Sequence, residues 1–271
     1  MEFMTCPQCP GGRRVLMKHK YLIDRINLQW IYQILSIVDD KMPIEEVVDI
    51  SKDEGVDFGT RRDVFNRLVD LRLLTKSKEQ RVSYAELTDF GYTIKNIYIK
   101  NQSKIPIILH VLHILESLKK ESPRYFTTYY YTTKITLEEK KSSSDQYNNL
   151  IKWLERSFPK EDAITGLDET TIGKANVFIN EILVGNYHYL TFIDPMIFAY
   201  GLQGYVEAKT GDRLGKLLIT NKEKEELSIL FLIDPNEIEK MLEKANRYTK
   251  AFEIRYSTSG TVLNSLKKVD L

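Results

Sequence analysis

Cysteine is nearly absent. The 271-residue chain has two, Cys6 and Cys9, too few for a disulfide framework and in keeping with a reducing compartment. No apolar run approaches the ~18–20 residues that span a bilayer. The N-terminus lacks the apolar core and cleavage site of a secretory signal. Together these absences lead us to expect an intracellular, cytoplasmic protein with no membrane partner. There is no Gly-rich phosphate loop, nucleophile elbow or two-histidine zinc motif, so most enzyme classes have no support and nothing calls for a cofactor. An excess of one charge is missing too. The formal net charge is +1, so any nucleic-acid surface has to be local. What is present, 42% hydrophobic and 28% charged residues, suits a globular chain of one large domain or two ordinary ones.

The two cysteines form Cys6-Pro-Gln-Cys9, the spacing of zinc and redox sites. A closed zinc site needs four ligands. His19 would supply only a third, leaving a site shared between two chains as the way to complete it. A redox pair normally opens a helix, whereas this one precedes Pro10-Gly11-Gly12. Residues Gly12 to Met17 can be encoded by a purine-rich ribosome-binding sequence a short distance ahead of a start codon. The expectation is therefore that Met17 is the natural start and that residues 1–16 are translated leader. Residues 1–20 are read as leader or disordered extension, and no metal is expected.

From residue 28 the pattern becomes helical. "LQWIYQILSIVDD" places apolar residues at 28, 31, 34, 35 and 38, a helical period. In "KMPIEEVVDISKDEG", Pro43 suits a first helical turn and Gly55 a C-terminal stop. "TRRDVFNRLVDLRLLTK" (60–76) reads as a third helix, with Thr60 as N-cap and Asp63 at the acidic position of a capping box. A polar tip from Lys76 to Arg81 then separates two short runs of strand character, and "ELTDFG" turns the chain into a further helix.

In this order, "LVDLRLLTKS…VSYAELTDFGYTI" resembles the winged helix-turn-helix superfamily. In that superfamily a leucine-rich recognition helix runs into a wing closed by a Tyr-x-Leu-Thr-x-x-Gly-like segment. Here that segment is Tyr84, Leu87, Thr88 and Gly91, with one extra residue after the Tyr. The resemblance covers about 80 of the 271 residues. It implies a winged-helix domain over 21–102 in a mainly α fold with small β wings, followed by a C-terminal α+β domain over 103–271.

Within the C-terminal part, "IPIILHVLHILESLKK" is apolar nearly all round and should be buried. "RYFTTYYYTTKIT" reads as a strand, with Tyr125, Tyr129 and Tyr131 on one face and Phe126 and Tyr130 on the other. "KKSSSDQY" is a turn and "YNNLIKWLERSF" a helix, and "ETTIGKANVFINEIL" leads to the strand-like "YHYLTFI". This order suggests a second, divergent winged helix. "FIDPMIFAYGL" and "FLIDPNEIEKML" echo each other at an Asp-Pro helix start, which is too little to establish a repeat.

A duplex reader needs a polar, partly basic helix face. At ~100° per residue, Val64, Leu68 and Leu71 point inward, while Arg62 and Asn66 stack on the opposite side. Arg matches guanine O6 and N7, and Asn matches adenine N6 and N7. Arg61 and Arg67 flank this face toward phosphates, and the wing adds Lys76, Lys78, Gln80 and Arg81. Residues 60–82 hold seven basic side chains (Arg61, Arg62, Arg67, Arg72, Lys76, Lys78, Arg81) against three acidic ones (Asp63, Asp70, Glu79). The stretch is therefore +4 in a chain of +1, although Asp63 and Asp70 oppose phosphate on the same face.

Two constellations have catalytic or metal-binding composition. Asp194, Glu207 and Lys209 resemble the Asp…Glu-x-Lys core of Mg²⁺-dependent nucleases, which needs Glu and Lys on one strand face. "PMIFAYGLQGYVEAKTG" reads instead as a helix stopped by Gly211, and on a helix residues two apart diverge by about 200°. His110, His113 and Glu116 share a helix with metal-like spacing, but no fourth ligand accompanies them.

The sequence thus points to a non-catalytic protein that binds double-stranded DNA through 21–102. The expected role is transcriptional regulation or the DNA-binding part of a defence or mobile-element system. Its C-terminal part would serve homodimerisation, sensing or partner docking. The alternatives are a winged-helix protein–protein adaptor without DNA binding, and the nuclease.

Overall fold

The computed structural model describes residues 28–58, 63–119, 124–139 and 189–271, together with positions 148 and 152. The expectations for residues 1–20, for Thr60, Arg61 and Arg62, and for the segments drawn between 141 and 188 fall outside the described residues. Those residues are mostly helical, with two small three-stranded antiparallel sheets. Among them no helix is long and apolar enough to cross a membrane.

Helix α1 (Leu28–Ile37) buries Leu28, Trp30, Ile31, Ile34 and Leu35, the stripe its period predicts. Strand β1 (Met42–Pro43) leads into α2 (Ile44–Asp53). Pro43 is the N-cap, with φ −57° and ψ 131°, and lies just outside the first turn. Gly55 ends the helix at φ +86°, a left-handed conformation that costs glycine little. Helix α3 (Asp63–Asp70) ends at Asp70, short of the C-terminal limit of the 60–76 pattern. The chain turns at Arg72, whose φ is +62°, and strands β2 (Leu74–Glu79) and β3 (Val82–Leu87) follow as an antiparallel hairpin. Gln80 and Arg81 form its two-residue loop, so Lys76 and Lys78 lie within a strand.

Helix α4 (Asp89–Lys100) starts at a lock that accounts for the Leu87-Thr88-x-x-Gly91 signature. The Thr88 hydroxyl accepts the Gly91 N–H at 2.9 Å and donates to the Arg72 carbonyl at 2.6 Å. One N-cap thereby fastens the start of α4 to the turn that follows α3.

Helix α5 (Ile105–Ser117) buries seven consecutive positions from Ile108 to Ile114, together with Ile105. It packs on α4, on α6 (Arg124–Glu139), and on two helices of the C-terminal part, α7 (Pro195–Thr210) and α8 (Asn221–Phe231). Segment 124–136 was expected to be a strand and lies in the helix Arg124–Glu139. Its buried residues Phe126, Tyr129, Thr132, Thr133, Thr136 and Leu137 recur at helical spacing. The Thr133 and Thr136 hydroxyls bond the carbonyls of Tyr129 and Thr132 one turn back, so burying them leaves no unsatisfied group.

The C-terminal part continues with β4 (Lys216–Ile219), α8, a short 3₁₀ turn (Pro235–Glu237), α9 (Ile238–Thr249), β5 (Phe252–Ser257) and β6 (Gly260–Ser265). Residues 195–265 therefore repeat the α-β-α-α-β-β order of residues 28–87. The strand orders also match, β1-β3-β2 and β4-β6-β5. A second unit was expected within 103–193. The described part of that stretch instead holds α5 and α6, and Tyr189–Ile193 form no strand. The Asp-Pro echo is no repeat of equivalent positions, because Asp194 opens the first helix of the second unit and Asp234 the turn before its third.

Candidate nucleic-acid interface

What positions α3 is its buried side. Phe65 meets Phe58 edge-on at 6.1 Å, and Phe58 meets Trp30 of α1 at 5.7 Å. Val64, Leu68 and Leu71 are buried beside them, as the helical wheel predicts, and Asn66 is exposed on the opposite side. Alternation along β2 puts Lys76 and Lys78 on the face that carries buried Leu74, opposite Ala85 and Ser83 of β3. That face is covered by the helices at its Leu74 end and open toward the loop. Lys76 Nζ reaches α3 there and donates to Asn66 Oδ1 at 2.8 Å. Helix and hairpin thus form one surface bearing Asn66, Lys76, Lys78 and the loop residues Gln80 and Arg81, all exposed. Gln80 takes the left-handed conformation, φ +53°, which the tight loop demands.

The acidic group of strand β2 is held from behind. Glu79 lies on the opposite face of β2 and pairs with Lys41, whose ammonium sits 4.9 Å from the Tyr84 ring centroid. Glu79 raises the Lys41 pKa above its ordinary value, chiefly through that hydrogen bond. Lys78 and Arg81 form no ion pair among the described residues, which leaves their charge directed to solvent.

Arg67 is a correction. It was expected to flank the outward face, and it is 8% exposed, with its guanidinium 5.4 Å from the Phe126 ring of α6. The wheel explains this, since Arg67 lies three residues after Val64 and four before Leu71 and so belongs to their stripe. Asp70 is drawn in beside it; burial raises the Asp70 carboxyl pKa and the Arg67 charge opposes the shift. Arg67 thus ties α3 to α6 and is unavailable to a phosphate. Arg67→Ala should lower unfolding stability by about 2 kcal/mol or more while leaving any DNA affinity of the folded protein unchanged. Urea denaturation beside a binding titration checks this.

The nuclease triad does not assemble. Asp194 caps α7 by accepting the Met196 N–H at 2.8 Å and pairs with Lys104 at 2.6 Å. Glu207 and Lys209 lie near the other end of the same helix, roughly 20 Å along its axis and on diverging faces. Lys209 pairs with Glu226 of α8 at 2.5 Å.

The two buried histidines are bonded within the core. His110 Nδ1 lies 2.7 Å from the Tyr129 hydroxyl and Nε2 lies 2.9 Å from the Ile229 carbonyl. His113 Nδ1 lies 2.6 Å from the Leu109 carbonyl, and Glu116 pairs with Lys119. Among the described residues no group of three or more His, Cys, Asp or Glu side chains is placed to hold a metal.

No protein-family profile matches the chain, and no curated protein sequence matches it. One solved structure, described as an SspB crystal structure, is similar in fold, with a TM-score of 0.58 and 12% identity. The match covers 92% of this chain and 82% of that one. At this identity the likeness concerns the fold alone.

Proposed function

We propose that the chain is a non-catalytic protein that binds double-stranded DNA, with residues 28–100 acting as a winged helix. In this reading α3 is the recognition helix and the β2–β3 hairpin is the wing. The observation that carries it is the contact of Lys76 with Asn66, which joins a polar helix face to a cationic ribbon in one exposed surface. Asn66 is the base-edge candidate, suited to adenine N6 and N7, and Lys76, Lys78 and Arg81 are the phosphate contacts. Arg61 and Arg62, which immediately precede α3 in the chain, would add to the same charge. Regulation of transcription, or DNA binding within a defence or mobile-element system, follows as the biological role. Sensing, dimerisation or partner docking falls to the C-terminal part.

A binding titration of a duplex of about 25 base pairs tests this. The variant Lys76→Ala/Lys78→Ala/Arg81→Ala should bind at least about tenfold more weakly near 0.1 M salt, through the loss of three phosphate contacts. Its thermal stability should be unchanged, since all three side chains are exposed. Unaltered duplex binding in this variant would rule out this surface as the DNA contact, and absence of duplex binding by the wild type would favour the protein–protein adaptor.

A further inference from the structure

The two α-β-α-α-β-β units correspond more closely than their order alone shows. In each, a buried serine of the second helix donates to a carbonyl five residues on, Ser51 to Val56 at 2.7 Å and Ser228 to Ile233 at 2.6 Å. The residue four after each serine is left-handed, Gly55 at φ +86° and Leu232 at φ +55°. Counted from these serines, three buried apolar residues of the third helices also coincide: Val64, Phe65 and Leu68 match Met241, Leu242 and Ala245. Each third helix is followed by a left-handed residue, Arg72 or Lys250, and then by a six-residue strand and a two-residue hairpin loop.

This register shows what the second unit carries where the first has its proposed DNA surface. Glu243 stands at the position of Asn66. Along the hairpin strand, Ile254 and Tyr256 stand where the first unit has Lys76 and Lys78. A bond between helix and hairpin recurs two strand residues further on and with its charge reversed: Lys76 donates to Asn66, whereas the hydroxyl of Tyr256, at the position of Lys78, donates to Glu243 at 2.8 Å. Glu239, one turn earlier on α9, accepts from Thr261 of the hairpin at 3.0 Å and pairs with Lys224 of α8 at 2.8 Å. Glu239 borders a groove of about 540 Å³ between α8, α9 and the hairpin, lined by Thr220, Asn221, Ser257, Thr258 and Ser259 as well. Of the cations of α9, Arg247 pairs with Glu243 one turn back, at 3.8 Å. Lys240 pairs with Glu237, and Lys244 is stacked at 4.1 Å on the Phe192 ring.

We infer that Glu239 and Glu243 are specificity determinants that keep the second unit off DNA, so that the chain has a single duplex-binding face. The physical reason is that two carboxylates fixed by the hairpin would face phosphate oxygens of like charge. The inference rests on the DNA reading of the first unit. The test is a salt-titrated duplex binding assay on the full chain, with thermal unfolding as the folding control. Glu239→Gln/Glu243→Asn/Tyr256→Lys removes both carboxylates and installs the first unit's asparagine and one of its lysines, and the slope of log K against log salt should steepen by about 1 for the added lysine. Lys240→Ala/Lys244→Ala/Arg247→Ala in the wild-type background should leave the slope unchanged.

If that alanine variant flattens the slope, the second unit already touches DNA; the inference is then overturned while the DNA reading stands. A folded Glu239→Gln/Glu243→Asn/Tyr256→Lys protein with no gain also overturns it. Should that variant misfold, the single change Glu243→Asn, at an exposed site, is expected to strengthen binding about twofold or more, and no strengthening counts against the inference. Absence of duplex binding by the wild type overturns both readings.

Discussion

Lowering the pH from 7 to about 4.5 should destabilise the folded protein, through a core that holds its histidines neutral. Burial pushes the His110 pKa down from 6.5 to about 4, against a smaller opposing effect of the hydrogen bond to Ile229. His113 is shifted in the same direction by burial and by the Arg67 charge. Between these limits the unfolded chain binds more protons than the folded one, so stability falls as pH falls. The contribution is fully present above pH 6.5 and is lost as the pH approaches 4. For His110 alone the loss amounts to about 3 kcal/mol, and His113 adds to it. The carboxylates whose pKa values are depressed, Asp194, Glu223, Glu239 and Glu253, add their losses mainly at lower pH, as they protonate. Urea midpoints measured from pH 7 to 4.5 should therefore decline steadily. A flat profile would mean that His110 and His113 are not enclosed.

A second large effect is expected at Gly91. A Cβ there would stand 2.1 Å from the Leu73 carbonyl oxygen and 3.0 Å from Leu87 Cδ2. The carbonyl cannot withdraw easily. It accepts the Thr88 N–H at 3.1 Å, and the Leu73 N–H is itself bonded to Leu68 at 2.8 Å. Gly91→Ala should thus force α4 away from the turn after α3, at a cost of about 3 kcal/mol. Gly211→Ala is the comparison, because nothing lies within 4 Å of its Cβ and only the left-handed φ of +80° is strained, worth about 1 kcal/mol. The two variants are compared by urea midpoint at constant m-value. Equal losses would contradict the close approach at Gly91.

Much of the first unit was legible because its signals are local. The period of α1, the stop at Gly55 and the turn chemistry after Leu87 each act within a few residues. Segment 124–136 was misread because Tyr and Thr favour strands when packing is unknown, whereas here the Thr133 and Thr136 hydroxyls find their partners within the helix. Arg67 was misplaced because charge was taken to mean exposure, although its spacing from Val64 and Leu71 already put it in the buried stripe. The second unit was hidden for another reason. What the two units share is a serine-to-carbonyl bond, left-handed turns and strand order, and these leave almost no common residue types. The polar face of the second unit looks like any solvated surface until the register with the first is known.

The measurement that bears most directly on the account is the salt dependence of duplex binding, wild type beside Lys76→Ala/Lys78→Ala/Arg81→Ala. The account predicts that wild-type affinity falls as salt rises, and that the variant's log–log slope is shallower by about 2 to 3, close to 0.9 per lost phosphate contact. No binding by the wild type at low salt, or identical slopes for the two proteins, would contradict it.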